Sequence, residues 1–191
     1  MAYRGLDPEP LGRFVTDDAG TGIERFFESR TTLGASVDLG LGNQVVRGEI
    51  AFHPDRVFNT RNGVALNTDR RSQVRAALGI DVSAPLGSLL NLQFLYDRVE
   101  GDRDFLVRPV RQRLVTLSLR KALGFDRWVF QLKAYRSMDD EDHMLNFRIT
   151  RTLSEKTSIE LQLTSFDGET DGLFGQFDTR DIASLRISQF F

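Results

Sequence analysis

The stretch of sequence that decides the fold reads Ser158-Ile159-Glu160-Leu161-Gln162-Leu163-Thr164. Its apolar residues alternate strictly with polar ones, so in an extended strand the two kinds of side chain point to opposite faces. A helix would instead place apolar residues three and four positions apart, and such spacing is scarce from about residue 29 onward. The stretch therefore predicts a β-strand with one apolar and one polar face.

The same alternation recurs along most of the chain, for example in Leu145-Asn146-Phe147-Arg148-Ile149. It predicts about nine strands, near 29–39, 44–53, 72–83, 88–99, 111–122, 127–138, 143–153, 157–166 and 180–191. Most of them have about ten to twelve residues, which is the length that a tilted strand needs to cross a bilayer. We therefore predict an all-β protein built as an antiparallel up-and-down meander.

The links between the predicted strands alternate in length. Short links fall at 40–43, 84–87, 123–126 and 154–156, and they are built from glycine, proline, asparagine and other turn formers. Longer polar links fall at 54–71, 100–110 and 167–179, with a brief acidic one at 139–142. Short turns on one side and long loops on the other are typical of outer-membrane barrels. The pattern thus predicts a transmembrane β-barrel of about 9–10 strands, or an open C-terminal portion of one.

Composition excludes several classes of protein. The chain has 191 residues, a net charge of -2 and no cysteine, which argues against a nucleic-acid binder, a disulfide scaffold and a thiolate site. No apolar run is long enough for a transmembrane helix, and residues 1–20 do not read as a secretory signal peptide.

The sequence offers little catalytic chemistry. The acidic run 139–142 lacks the spacing of a calcium loop, so we expect a solvated loop. Ser137 or Ser165 with His143 is the nearest approach to a catalytic pair, and no nucleophile motif accompanies either serine. We expect no enzyme activity, no cofactor and no metal.

In a membrane barrel, the apolar face of each strand would meet lipid and the polar face would line a lumen. The residues predicted to face lipid are Leu92, Phe94, Leu117, Leu119, Phe130, Leu132, Phe147, Ile149, Ile159, Leu161, Leu163, Leu185 and Ile187. The residues predicted to face the lumen, as a possible pathway, are Arg47, Glu49, Arg75, Asp81, Asn91, Gln93, Asp97, Arg120, Gln131, Lys133, Asn146, Arg148, Glu160, Gln162 and Arg186.

Some residues mark the ends of the apolar face. Lys121 and Arg151 share it but lie near strand ends, where long side chains reach the membrane surface. Trp128 begins a strand and suits an aromatic belt at the membrane interface. A soluble β-sandwich or barrel remains open as an alternative, in which the apolar stripe would be the core and the polar face would be solvated.

The last strand ends Leu185-Arg186-Ile187-Ser188-Gln189-Phe190-Phe191. It resembles the terminal strand of outer-membrane barrels, whose final phenylalanine is part of the signal read by the barrel-assembly machinery. The resemblance assigns that role to Phe191 and implies the machinery as a partner. Gln189 departs from the pattern, which prefers an apolar or aromatic residue at that position.

Strand parity bears on domain organisation. Bacterial single-chain barrels have even strand numbers, so a strand should precede the one that begins near Ser29. Residues 1–28, with Pro8 and Pro10, are a poor candidate, and we expect an irregular N-terminal or extracellular segment there. Residues 29–191 would then be the C-terminal portion of a larger barrel. A small ten-stranded barrel with an irregular first strand is the alternative.

The segment Val46–Phe58 carries a family resemblance. It contains Arg47-Gly48-Glu49-Ile50-Ala51 followed by Pro54-Asp55 and Phe58. This resembles a strand-and-loop motif of a large proteobacterial outer-membrane β-barrel family of unknown function, over most of the chain from Phe26 on. The resemblance implies a bacterial outer-membrane location, longer relatives, and suspected transport of lipids or other hydrophobic compounds beside an inner-membrane exporter.

The residues and the resemblance together favour a channel or transporter barrel for small or hydrophobic molecules, in contact with outer-membrane lipid. The mixed charges of the polar face argue against strong ion selectivity. A non-transporting membrane anchor with partner-binding loops is the second hypothesis. A soluble β-sandwich or barrel binding module is the third.

Overall fold

The protein is described by a computed structural model that covers residues 1–17, 20–63, 65–84, 87–101 and 105–190. Its strands are β1 (Ala2–Leu6), β2 (Leu11–Asp17), β3 (Gly20–Phe26), β4 (Ser29–Leu41), β5 (Gln44–Asn62), β6 (Ala65–Ala84), β7 (Ser88–Val99), β8 (Arg111–Leu123), β9 (Trp128–Ser137), β10 (His143–Ser154), β11 (Thr157–Asp167) and β12 (Ile182–Gln189). A 3₁₀ turn, Gly175–Phe177, lies between β11 and β12. Within the described ranges, none of the helical structure is long and apolar enough to span a membrane.

Ten strands form one sheet in the order β1-β4-β5-β6-β7-β8-β9-β10-β11-β12, and β2 pairs with β3 in a separate two-stranded sheet. The predicted all-β antiparallel meander is confirmed. Each of the predicted strands corresponds to one of β4–β12, and the bounds agree closely except in β5 and β6. In the described part of the chain, β1 and β12 end the order and are not neighbours.

The predicted long link at 54–71 was wrong, because β5 continues to Asn62 and β6 begins at Ala65. The buried residues of β5 are odd-numbered up to His53 and even-numbered from Arg56 on. A β-bulge, in which a strand contains one extra residue, produces such a change. Proline is tolerated at a bulge. Pro54 lies at this point, so a simple period of two could not be followed across it.

The prediction of an irregular segment at 1–28 was also wrong, because the segment contains three strands. β1 pairs with β4, with Ala2 opposite Leu33 and Leu6 opposite Ser29. β2 and β3 form a hairpin. The two prolines lie between β1 and β2, where they interrupt no ladder. β1 raises the main sheet to ten strands, the number of the small-barrel alternative.

The chain divides into two compact units, which differs from the predicted division at residue 29. The first unit contains Met1–Ser36, Glu49–Ala76 and Tyr96–Gln112, and the second contains Val37–Gly48, Ala77–Leu95 and Arg113–Phe191. Only three apolar side chains of the described residues are buried, namely Leu11, Phe58 and Val99, all of the first unit. Apolar burial is therefore very small for the number of apolar residues in the strands.

Candidate functional site

In the second unit, the register of β8 to β12 places apolar side chains side by side on one face. One cross-strand row contains Leu119, Leu132, Phe147, Leu163 and Ala183. The next row of the same face contains Lys121, Phe130, Ile149, Leu161 and Leu185. These two rows give β8 to β12 one continuous apolar face.

Every residue that we predicted to face lipid is exposed or half-buried. The exposed fraction is 40% for Leu161, 68% for Leu185 and 67% for Ile187. Ile159 pairs with Ile187, and Leu117 pairs with Ala134, on the same face as the two rows. The apolar face is thus not packed into a core within the described structure.

The opposite face of the same strands is polar and internally paired. Its central row contains Arg120, Gln131, Arg148, Gln162 and Ser184. Arg148 Nη2 donates to Gln162 Oε1 at 2.8 Å, and Asn146 Nδ2 donates to Thr164 Oγ1 at 2.7 Å. Such cross-strand pairs stabilise a sheet face.

Glu160 lies between two arginines of this polar face. Its carboxylate is 3.8 Å from Arg148 Nε and 3.7 Å from Arg186 Nη1. Lys133 is exposed and lies opposite Ser118 and Asn146. The polar residues predicted on β8 to β12 therefore form one charged surface with both signs.

The other predicted lumen residues form two further groups. In the second unit, Arg47 contacts Asp38 at 3.4 Å and Asp81 at 3.2 Å. Asn91 donates to Asp81 there, and the aliphatic part of Gln93 lies beside Gly79. In the first unit, Arg75 Nε lies 3.1 Å from Asp97 Oδ2, and Glu49 is exposed. Phe191 lies outside the described residues.

A buried polar cluster of the first unit was not predicted. It consists of Asp7, Glu9, Arg30, Arg56, Gln73, Asp97 and Arg108. Its centre is Arg56, which is 1% exposed. Arg56 Nε donates to Asp7 Oδ2 at 2.6 Å, Nη1 to Gln73 Oε1 at 2.7 Å, and Nη2 lies 2.7 Å from Glu9 Oε2. Each of the three guanidinium nitrogens therefore has a hydrogen-bond or ion-pair partner.

Gln73 extends the cluster to a second ion pair. Its Nε2 donates to Asp97 Oδ1 at 2.6 Å, and Arg108 Nη2 donates to Asp97 Oδ2 at 2.9 Å. The guanidinium carbons of Arg56 and Arg108 lie 5.2 and 5.7 Å from the centroid of the buried Phe58 ring. Cations near an aromatic ring gain further stabilisation.

Asp7 is ionised in this surrounding. Burial alone would raise the pKa of Asp7, but the hydrogen bonds from Arg56 and the Glu9 amide, with the charges of Arg56 and Arg30, outweigh it. The net effect holds the pKa of Asp7 below its ordinary value of 3.8. The carboxylate of Asp7 and its arginine partners are therefore both charged at neutral pH.

The β2–β3 hairpin is fixed beside the cluster. The Gly12 amide donates to Asn59 Oδ1 at 3.0 Å, and Asn59 Nδ2 donates back to the Gly12 carbonyl at 2.7 Å. The Asp7 amide donates to the Glu28 carbonyl at 2.8 Å, which closes the base of the hairpin. A cavity of about 150 Å³ remains here, lined among others by Pro10, Leu11, Phe58, Val107 and Arg108.

The loops between β9 and β10 and between β11 and β12 hold the remaining polar candidates. Asp142 is fully buried, and one carboxylate oxygen accepts the amides of Phe174 and Gly175, so the expected solvated acidic loop was wrong at this residue. Asp139 pairs with Arg113 at 2.9 Å. The described residues contain no group of three acidic or histidine ligands suited to a metal.

Neither Ser137 nor Ser165 pairs with His143 in the described structure. Ser137 donates to Asp140 at 3.1 Å, and Ser165 donates to Asp181 at 3.2 Å. His143 Nε2 instead lies 3.4 Å from Asp167. Each of these residues therefore has a local structural partner.

No family model, curated protein or solved structure matches the chain. The class of molecule is therefore defined by its own geometry. It is an antiparallel all-β meander whose β8 to β12 have one uncovered apolar face and one charged, internally paired face. A buried ion-pair cluster lies in its first unit.

Proposed function

We propose that this chain belongs to a bacterial outer-membrane β-barrel that acts as a channel or transporter for small or hydrophobic molecules. The observation that carries the proposal is the uncovered apolar face of β8 to β12. Removing a side chain such as Leu161 from water gains about 1.5–3 kcal/mol. A soluble protein would bury such side chains in a core, whereas only three apolar side chains of the described residues are buried. Lipid is the solvent that suits such a face.

The charged face would then line an aqueous pathway. Closed barrels alternate lipid-facing and lumen-facing residues along each strand, as β10 and β11 alternate Ile149 and Leu161 with Arg148 and Glu160. Charges of both signs are paired with each other on this face. A pathway with such a lining would admit small polar molecules without strong preference for one sign of charge.

Bilayer conductance tests the proposal. The protein is refolded into a planar lipid bilayer, and we expect stepwise current increases with weak cation-to-anion selectivity. The variant E160Q, which removes one negative charge from the charged face and leaves Arg148 and Arg186 in place, should shift selectivity toward anions and leave insertion unchanged. Insertion without any conductance would refute the channel, and recovery of the protein outside the membrane fraction would refute the barrel.

A second candidate is a membrane anchor whose loops bind a partner. It is favoured by the folded loop between β11 and β12, which Asp142 holds through backbone amides. Phe174 packs against Tyr135 and Phe177 against Phe166, with ring centroids 6.2 and 5.5 Å apart. A loop with this much internal structure is suited to recognition. Insertion without conductance is the result that would favour this candidate.

The resemblance of Val46–Phe58 to the outer-membrane family supports the same location. Recognition of Phe191 by the barrel-assembly machinery, and association with an inner-membrane exporter, belong to this proposal. Assembly in cells deprived of that machinery tests the first of these. The protein should then fail to reach the outer membrane.

A further inference from the structure

Two residues of different chemistry meet on the apolar face where β9 begins and β10 ends. Trp128 lies directly opposite Arg151 in the β9–β10 ladder. The guanidinium carbon of Arg151 is 4.8 Å from the centroid of the Trp128 ring. Phe130 lies on the same face of β9, and its ring centroid is 6.2 Å from that of Trp128, with the two ring planes inclined by only 11°. The Trp128 ring therefore lies beside both a cation and a second aromatic ring.

The charge of Arg151 is not neutralised by an ion pair within the described residues. It contacts the face of the Trp128 ring. The surrounding charges are Lys121, which lies opposite Phe130 on the same face, Arg127 and Lys156 in the adjacent turns, and the acids Asp126 and Glu155. Cations outnumber acids here, so this end of the apolar face attracts anions.

The stack leaves hydrogen-bond donors available. A guanidinium that stacks on a ring keeps its N–H groups in its own plane, at the edge of the stack. The indole N–H of Trp128 is a donor with no hydrogen-bond acceptor in the described structure. Both side chains are exposed. A tetrahedral anion at the edge of the stack can accept from both of them.

We propose that Arg151 and Trp128 bind the phosphate of an anionic glycerophospholipid. This inference rests on the proposed membrane location and adds a specific lipid site to it. The pair lies at a strand end of the apolar face, which is the depth of the lipid headgroups for a strand that crosses the membrane. Below it, the apolar residues Phe130 and Ile149 continue the face along β9 and β10.

The apolar surroundings favour a lipid over a free phosphate ion. Leu123 lies opposite Trp128 on β8 and is 47% exposed, and Leu153 on β10 is 50% exposed. An acyl chain can cover these side chains while the phosphate contacts Arg151. Inorganic phosphate has no apolar part and would leave them uncovered.

The protein provides its own probe, because Trp128 is its one tryptophan. The protein is refolded into mixed vesicles of phosphatidylcholine and phosphatidylglycerol, with bromine carried on the acyl chains of one lipid or the other. A cation near the surface should enrich the anionic lipid about fivefold, so brominated phosphatidylglycerol should quench Trp128 more strongly. R151Q should lower this difference about fivefold, because it removes the cation that contacts Trp128, and R136Q, at the other end of the same face of β9, should retain it.

The outcomes separate the lipid site from the proposed function. If both brominated lipids quench equally in the unaltered protein, or if R151Q keeps the preference, the lipid site is refuted and the membrane location stands. If neither lipid quenches Trp128, the membrane location fails. If millimolar inorganic phosphate removes the preference at constant ionic strength, the site binds free phosphate and the lipid assignment is wrong.

Discussion

The guanidinium of Arg56 is almost completely buried and depends on Asp7, Glu9 and Gln73 for its solvation. Removing one partner of a buried ion pair typically costs about 3–5 kcal/mol when the other charge stays buried without compensation. Arg30 still pairs with Asp7 after Arg56 is replaced, so the lower end of this range applies. We predict that R56M lowers the free energy of unfolding by this amount, measured by urea titration of the vesicle-inserted protein.

The matched control for R56M is R47M. Arg47 also contacts two carboxylates, but its side chain is 57% exposed. Exposed ion pairs contribute at most about 1 kcal/mol. Equal losses for the two variants would contradict the structural role given to the polar cluster.

The ionised Asp7 makes the stability of the cluster depend on pH. The folded-state pKa of Asp7 lies below its ordinary value of 3.8. The ion pair therefore contributes fully above the unfolded-state pKa, and the contribution is lost as the pH falls through the folded-state pKa. We predict that the unaltered protein is more stable than D7N at neutral pH, and that the difference disappears in acid. A difference that persists at the lowest pH would exclude this cause.

The polar cluster could not be predicted from the sequence. Asp7 and Arg56 are 49 positions apart, and the pairing of their segments requires β1, which is short and lies beside two prolines. Arg56 also follows Pro54, after which the buried positions change parity. The sequence around Arg56 was predicted to be a polar loop, because polar residues occupy alternate positions of both kinds there. Only the tertiary register brings the opposite charges together.

The element whose faces can be tested most simply is β10. Ile149 and Thr150 are neighbours in sequence but lie on opposite faces, with Ile149 opposite Leu161 and Thr150 opposite Glu160. If the apolar face lies in lipid, as proposed, an arginine near the midplane costs about 2–4 kcal/mol. We predict that I149R is destabilised by this amount, measured by urea titration in vesicles.

T150R is the control for this prediction. It introduces the same side chain one residue away, where the arginine can form an ion pair with Glu160. Its cost should stay within about 1 kcal/mol, as for exposed ion pairs. If T150R were as harmful as I149R, or I149R harmless, the assignment of the two faces would be wrong.

The loop between β11 and β12 depends on Asp142. Hydrogen bonds to a charged acceptor contribute about 1.5–3 kcal/mol each, and Asp142 accepts two from the loop amides. We predict that D142A releases the loop, and that proteases cleave residues 168–181 about tenfold faster or more. D171A, an exposed aspartate in the same loop, should leave the cleavage rate unchanged. Equal rates for the two variants would contradict the role of Asp142.

At the level of elements, the sequence was most informative where the two faces differ in polarity. The alternation in β7 to β11 predicted their bounds closely, because each strand has an apolar face with a fixed period. The far half of β5 and the near half of β6 are polar on both faces, so no period marked them as strands. The buried Asp142 also had no signal, since its partners are the backbone amides of a distant loop.

For the whole molecule, the central question is the solvent of the apolar face. Leu161 and its neighbours are uncovered in the described structure, while Gln162 and Glu160 pair with arginines on the other face. In a membrane, the first set meets lipid and the second meets water. In a soluble protein, both sets would meet water unless another surface covered the leucines.

Spin labels on β11 distinguish these cases most directly. The chain has no cysteine, so single cysteines at 159–163 can each carry one label in the vesicle-inserted protein. If the apolar face lies in a membrane, collisions with oxygen, which concentrates in lipid, should be frequent at 159, 161 and 163. Collisions with a water-soluble nickel reagent should instead be frequent at 160 and 162. Equal accessibility to the nickel reagent at all five positions would contradict the claim that this face lies in a membrane.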